Sequence, residues 1–198
     1  MDWSTFDDKK LLSTYCALMA ELEGRGIVRS ANNPVADYSE TLVSRALGLS
    51  LEPRSKAGYD ALGGDGTRYQ IKGRRLTAEN SSPQLGAIRN LAQRPFDILA
   101  AVVYAQDLSV LYGALIPVEV VVEQGRYSPH TNSHIFMFRR NVLEDARVTD
   151  IAPLLAAPVA QLVAGPGSLP APVGRTGSGS LPENRGEFPA GSAKEGKA

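Results

Sequence analysis

The stretch 58–76, GYDALGGDGTRYQIKGRRL, decides how the chain is read. From Thr67 to Arg75, Tyr69, Ile71 and Gly73 alternate with Arg68, Gln70, Lys72 and Arg74. A period of two is the signature of a strand with one face buried. The cluster Gly63-Gly64-Asp65-Gly66 is a turn. The segment before it is short and bounded by turn residues, so the stretch predicts a β-hairpin. On its second strand Gln70 and Lys72 stand at i and i+2 and face one side, while Ile71 points to the core. Asp60 lies on the first strand, ten positions before Gln70.

Working outward, Asn33-Pro34 supplies a cap and a proline at the first helical position. A helix is predicted from Pro34 to Leu47, ended by Gly48, with Tyr38, Leu42, Val43 and Leu47 as its apolar stripe. Glu40 and Asp37 are neighbours on its surface. Before it, Phe6, Leu11, Leu12, Tyr15, Leu18, Met19 and Leu22 recur near helical spacing, so residues 1–26 are read as an amphipathic helix packed on the core. Beyond the hairpin, residues 81–94 suggest a loop and a short helix. Residues 96–105 and 108–116 are strand candidates joined at Gln106-Asp107. A helical turn over 117–123, a late strand over 133–138 and a closing segment over 148–155 complete the domain. From Ala164 onward the chain carries eight glycines and five prolines and almost no large apolar residue. Such a segment cannot bury enough surface to offset its ordering entropy. The expected organisation is a helix over 1–26, an α/β domain over 27–160 and a disordered tail over 161–198.

The 198 residues carry 21 basic and 21 acidic side chains, so net charge excludes nothing by itself. The charge is uneven: residues 25–94 hold eleven basic and six acidic groups, a local field suited to a polyanion. A single cysteine, Cys16, excludes an intrachain disulfide and fits a reducing cytosol. Its place in the apolar pattern reads as a buried small hydrophobe. The N-terminus lacks the basic and apolar regions of a secretory signal, and no run approaches a membrane span. A cytoplasmic location without a membrane partner is expected.

Metal-assisted phosphodiester hydrolysis needs carboxylates to hold a cation and a lysine to act on the attacking water or the phosphate. The order Glu40, then Gly58-Tyr59-Asp60, then Gln70-Ile71-Lys72 resembles the PD-(D/E)xK, or restriction-endonuclease-like, nuclease superfamily, in particular an uncharacterised bacterial branch, over about residues 27–155. The resemblance implies an α/β fold with a mixed central sheet flanked by helices. It implies a metal site of Asp60, Gln70 and Glu40 for Mg²⁺, with Mn²⁺ as a substitute, and a catalytic set of those three with Lys72. DNA is the implied substrate and partner, contacted by Arg74 and Gln84; a homodimer is compatible. Tyr59 stands where proline is usual, and Gln70 where an acid is usual. A glutamine carbonyl still ligates a hard cation, but without charge. Two readings follow: a DNA-hydrolysing enzyme, and an inactive nuclease-fold module that binds DNA or protein.

A third treats the chain as a structural or partner-binding α/β domain docking through its first helix. His130 and His134 have HxxxH spacing, but Pro129 and Asn132 favour a turn over a zinc-binding helix. The glycine cluster at 63–66 lacks the Lys-Ser/Thr of a phosphate loop. The composition of the tail makes one firm prediction. Truncation at Pro166 leaves the melting temperature unchanged in a thermal scan, and a loss of several degrees would contradict it.

Overall fold

A computed structural model describes residues 2–30, 33–53 and 58–156. Residues Met1–Gly167 group as one compact unit; a second, Ser168–Ala198, lies outside the described residues, as does the expected tail. Helix α1 (Asp8–Gly24) is followed by α2 (Pro34–Leu47) and the short strands β1 (Ser50–Leu51) and β2 (Ala61–Leu62). Then come β3 (Arg68–Arg75), β4 (Ile98–Tyr104), β5 (Val110–Pro117), α3 (Val118–Gln124), β6 (Arg126–Ser128), β7 (Ser133–Ile135), β8 (Thr149–Asp150) and α4 (Ala152–Leu155).

Six strands form one sheet in the order β1-β2-β3-β4-β5-β8. The β3–β4 pair is parallel and the other pairs are antiparallel, so the sheet is mixed. The hairpin is present: Ala61 pairs with Tyr69 and Leu62 with Arg68, and the Asp65 carboxylate accepts the Thr67 N–H inside the turn. Central β4, ILAAVVY, is buried on both sides and reads as a continuous apolar run rather than an alternation.

Both faces of the sheet are covered. On one, Tyr69, Ile71, Ala100, Val102 and Tyr104 pack with Leu42, Val43 and Leu47 of α2 and with Ile151 and Leu155. On the other, Leu99, Ala101, Val103, Ala114 and Ile116 pack with Leu85, Ile88, Leu91, Phe96, Val120, Val121, Phe136 and Phe138. Helix α2 starts as its sequence requires: the Asn33 side chain accepts the Val35 N–H at 3.1 Å ahead of Pro34. Gly48, at φ +66°, takes the left-handed conformation that ends it.

Two segments differ from the sequence reading. The β3-to-β4 crossover holds only a 3₁₀ turn at Leu91–Gln93, not a helix. Pro83 and Gly86 interrupt any helical run, and the segment is held extended by bridges from Gln84 to Met137 and from Ile88 to His134. Helix α1 does not pack a face on the core. Met19 is its one buried residue among those described, while Leu11, Leu12, Tyr15 and Leu18 are exposed. Cys16 is exposed as well, so it is not the buried hydrophobe its pattern suggested. Among the described residues, no helix is long and apolar enough to cross a membrane.

The approach of α2 to β3 is close at one point. A Cβ built on Gly73 would lie 1.9 Å from Ser39 Oγ and 3.1 Å from the Val35 carbonyl oxygen. Ser39 cannot simply swing aside, because its hydroxyl donates to Val35 O at 2.6 Å and meets the Tyr104 hydroxyl at 3.0 Å. Gly73→Ala therefore forces α2 off the sheet. The expected loss is about 1–3 kcal/mol in urea unfolding; an unchanged midpoint would show that the contact is soft.

Candidate functional site

The burial of Tyr69 and Ile71 under α2 sends Gln70, Lys72 and Arg74 to the opposite side of β3. Asp60, at the head of β2, joins this row through hydrogen bonds. Its backbone N–H donates to Tyr69 O at 2.8 Å. Its Oδ2 accepts the Ile71 N–H at 2.7 Å and an N–H of the Gln70 amide. The Asp60 carboxylate thus takes the place of a ladder acceptor along β3 and is tied to Gln70. Lys72 lies one step further along the row. Its stem runs beside Gly86, where a Cβ would come within 3.8 Å of Lys72 Cδ. Among the described residues Lys72 makes no ion pair, which leaves its ammonium available to a ligand.

From α2, Glu40 approaches Asp60 alone: Gln70 and Lys72 are not among the residues that line the cleft these two acids share. Glu40 and Asp60 both line a cleft of about 80 Å³ together with Arg29, Asp37, Glu52, Pro53 and Tyr59. Four carboxylates against one guanidinium make that lining strongly acidic. Glu40 forms an ion pair with Arg29. The Arg29 Nη1 also donates to the Glu52 carbonyl at 3.0 Å, and the Arg29 backbone N–H donates to Asp37 Oδ2 at 2.8 Å. Its Nε is buried and has no hydrogen-bond partner among the described residues. Arg29, Glu52 and Pro53 are cleft residues that sequence reasoning missed; Arg29 lies in the loop before α2, and only its membership of the basic stretch could have pointed to it.

Arg74 is not free to the extent its strand position suggests. Its Nε donates to the Ser82 carbonyl at 2.9 Å, and its Nη2 donates to the Asn80 side chain. It braces the start of the crossover against β3. With Ser82 held by Arg74 and Gly86 beside Lys72, the intervening Gln84 belongs to a segment running along the Gln70–Lys72–Arg74 row. It does so from an extended bridge rather than a helix.

The donor chemistry decides which cation would suit. Among the described residues no group of three or more His, Cys, Asp and Glu side chains could hold a metal ion. The Asp60 and Glu40 carboxylates and the Gln70 amide carbonyl are hard oxygen donors, the class of ligand that an ion such as Mg²⁺ takes. Two groups stand against it in the arrangement described: the Arg29 guanidinium on Glu40, and the Gln70 amide N–H turned to Asp60. Rotation of the Gln70 amide by half a turn would present its oxygen instead, and the choice between these orientations follows the charge placed beside it.

Comparison with known proteins adds no relative: no protein-family model matches the chain, and no curated protein matches it.

The geometry separates two duties of Asp60. Asp60→Ala leaves the half-buried Ile71 N–H without its acceptor and is expected to cost about 1–3 kcal/mol in chemical denaturation. Asp60→Asn keeps an acceptor oxygen and is expected to retain most of that stability. Equal losses from both variants would mean that charge, not the hydrogen bond, holds β2 to β3.

Proposed function

We propose that this chain is a nuclease-like protein that acts on DNA phosphodiester bonds with Mg²⁺, on a restriction-endonuclease-like variant of the mixed α/β sheet. One observation carries the reading: Asp60 is hydrogen-bonded to Gln70, Gln70 shares a strand face with Lys72, and Asp60 opens with Glu40 onto one acidic cleft. Carboxylates from a strand end and a neighbouring helix, with a lysine on the adjoining strand, are groups that metal-assisted phosphodiester hydrolysis uses, and Gln70 adds a neutral oxygen donor.

In this reading Asp60 and the Gln70 carbonyl hold the cation, and Glu40 joins them once its carboxylate leaves Arg29. The bound ion supplies a Lewis acid and lowers the pKa of a water. Lys72 Nζ, free of ion pairs among the described residues, neutralises charge on the attacking oxygen or on the phosphate. Arg29, released from Glu40, becomes a second cation beside the cleft. Arg74 and Gln84 border the row, and Arg74 adds positive field while bracing the crossover. Cytoplasmic action on DNA suits the single exposed cysteine and the basic 25–94 stretch.

A second reading has an observation of its own. Two internal pairs engage the polar groups here: Arg29 with Glu40 in the cleft, and Gln70 with Asp60 beside it. A nuclease fold that has given up catalysis for binding would keep such internal pairs.

Incubation of supercoiled and linear DNA with the full chain and Mg²⁺ or Mn²⁺ separates the two. The leading reading predicts cleavage that Asp60→Asn abolishes along with cation binding. Lys72→Ala reduces cleavage by roughly 100-fold or more while cation binding persists. Gln70→Glu holds or raises cation affinity, because it restores a charged oxygen. A wild type that cleaves nothing yet retains DNA with steep salt dependence supports the second reading. A wild type that neither cleaves nor retains DNA contradicts both.

A further inference from the structure

Helix α1 carries an apolar stripe that the domain leaves exposed from Leu11 to Leu18 and covers in part at Leu22. Along its length Leu11, Tyr15, Leu18 and Leu22 follow one another at spacings of four, three and four. That is the a/d seam of a coiled coil, narrower than the face a helix needs to lie on a core. The seam is open: Leu11 is 39% exposed, Tyr15 50% and Leu18 54%, and adjoining Leu12 is 66% exposed. The helix is attached near its C-terminal end, where Met19 is buried and the Leu22 carbonyl accepts the Ile27 N–H at 2.9 Å. The side chains of Leu11, Leu12, Tyr15 and Leu18 face solvent, extended by half-exposed Trp3, whose ring packs edge-on to Phe6. A contiguous apolar patch of this kind marks an interaction surface on a soluble domain.

We propose that this surface binds a second copy of the same chain, with the two α1 helices antiparallel about a two-fold axis near Cys16 and Ala17. The charges at the ends of the seam select this occupant and this direction. In an antiparallel pair, a positions face d positions. Leu11 then meets Leu22 of the other copy, Tyr15 meets Leu18, and one step further out Asp8 meets Arg25. Asp8 opens the helix on the same seam, and Arg25 closes it. Each end layer is thus an opposite-charge pair, repeated by the symmetry. A parallel pair would set Asp8 against Asp8 and Arg25 against Arg25. The Arg25 side chain already contacts Glu21 one turn earlier, but both groups are well exposed and that pair yields readily. Such a self-complementary surface is what a closed isologous dimer requires. The inference does not rest on the nuclease reading, since α1 contributes no residue to the cleft lining.

Sedimentation velocity of the full chain over a micromolar to sub-millimolar dilution series tests it. The wild type sediments as a monomer–dimer equilibrium. Leu18→Glu and Tyr15→Lys each weaken association by roughly 100-fold or more, because each charge would be buried twice in the seam. Circular dichroism and thermal unfolding guard against loss of fold, which is not expected because both side chains are exposed in the single chain. Direction is read from the charges. Asp8→Arg alone weakens the dimer several-fold, and combining it with Arg25→Asp restores it. A wild type that stays monomeric throughout overturns the proposal, as does a folded Leu18→Glu variant that still dimerises. An Asp8→Arg variant that associates like wild type, or a double variant that is not restored, overturns the antiparallel register.

Discussion

Tyr69 and Ile71 must lie under α2, and that obligation organises the rest of the domain. A strand offers two faces in strict alternation, so committing these two side chains to one core commits Gln70, Lys72 and Arg74 to the other side. The commitment is reinforced from both directions. Gly73 lets α2 come close enough to cover the pair, and parallel pairing with β4 from Tyr69 to Arg75 holds the register. A slip of one residue would bury Lys72 against α2 and expose Ile71. The polar row is therefore as firmly placed as the core, although its own side chains contribute little packing.

What the row can do depends on the charges around it. The cleft beside Asp60 is lined by more carboxylate than cation, and Arg29 is the group that offsets this. Its guanidinium spans from Glu40 on α2 to the Glu52 carbonyl before the hairpin. The same loop donates to Asp37 through the Arg29 N–H and the Ser30 hydroxyl. An arginine in such a position acts as an internal counter-ion. Gln70 is neutral and adds no negative charge beside Asp60. It also allows the row to pair internally, through an amide N–H on Asp60. These internal pairs hold the cleft and the row together.

Local chemistry made much of this legible from sequence. The hairpin was readable because alternation and the glycine turn agreed, and α2 because Asn33, Pro34 and Gly48 bracket it. β4 and β5 were readable as apolar runs of strand length. The association of Asp60 with Gln70 followed from hairpin geometry. Long-range relations were not legible. The crossover after β3 looked partly helical, but its extended path is set by bridges to β7 and Met137, far along the chain. Helical periodicity in α1 identified an apolar stripe and could not say whether the core or another chain covers it. Cys16 was misjudged for the same reason. Arg29 escaped because an isolated arginine in a loop carries no pattern; only the fold brings it to Glu40.

The claim that Asp60 and Gln70 form a cation site is tested most directly by anomalous diffraction from crystals of the full chain equilibrated with Mn²⁺. The account predicts an anomalous peak within ligand distance of an Asp60 carboxylate oxygen, with the Gln70 amide turned so that its oxygen faces the ion. Well-ordered density with the Gln70 N–H still on Asp60, and no peak at saturating Mn²⁺, would contradict it.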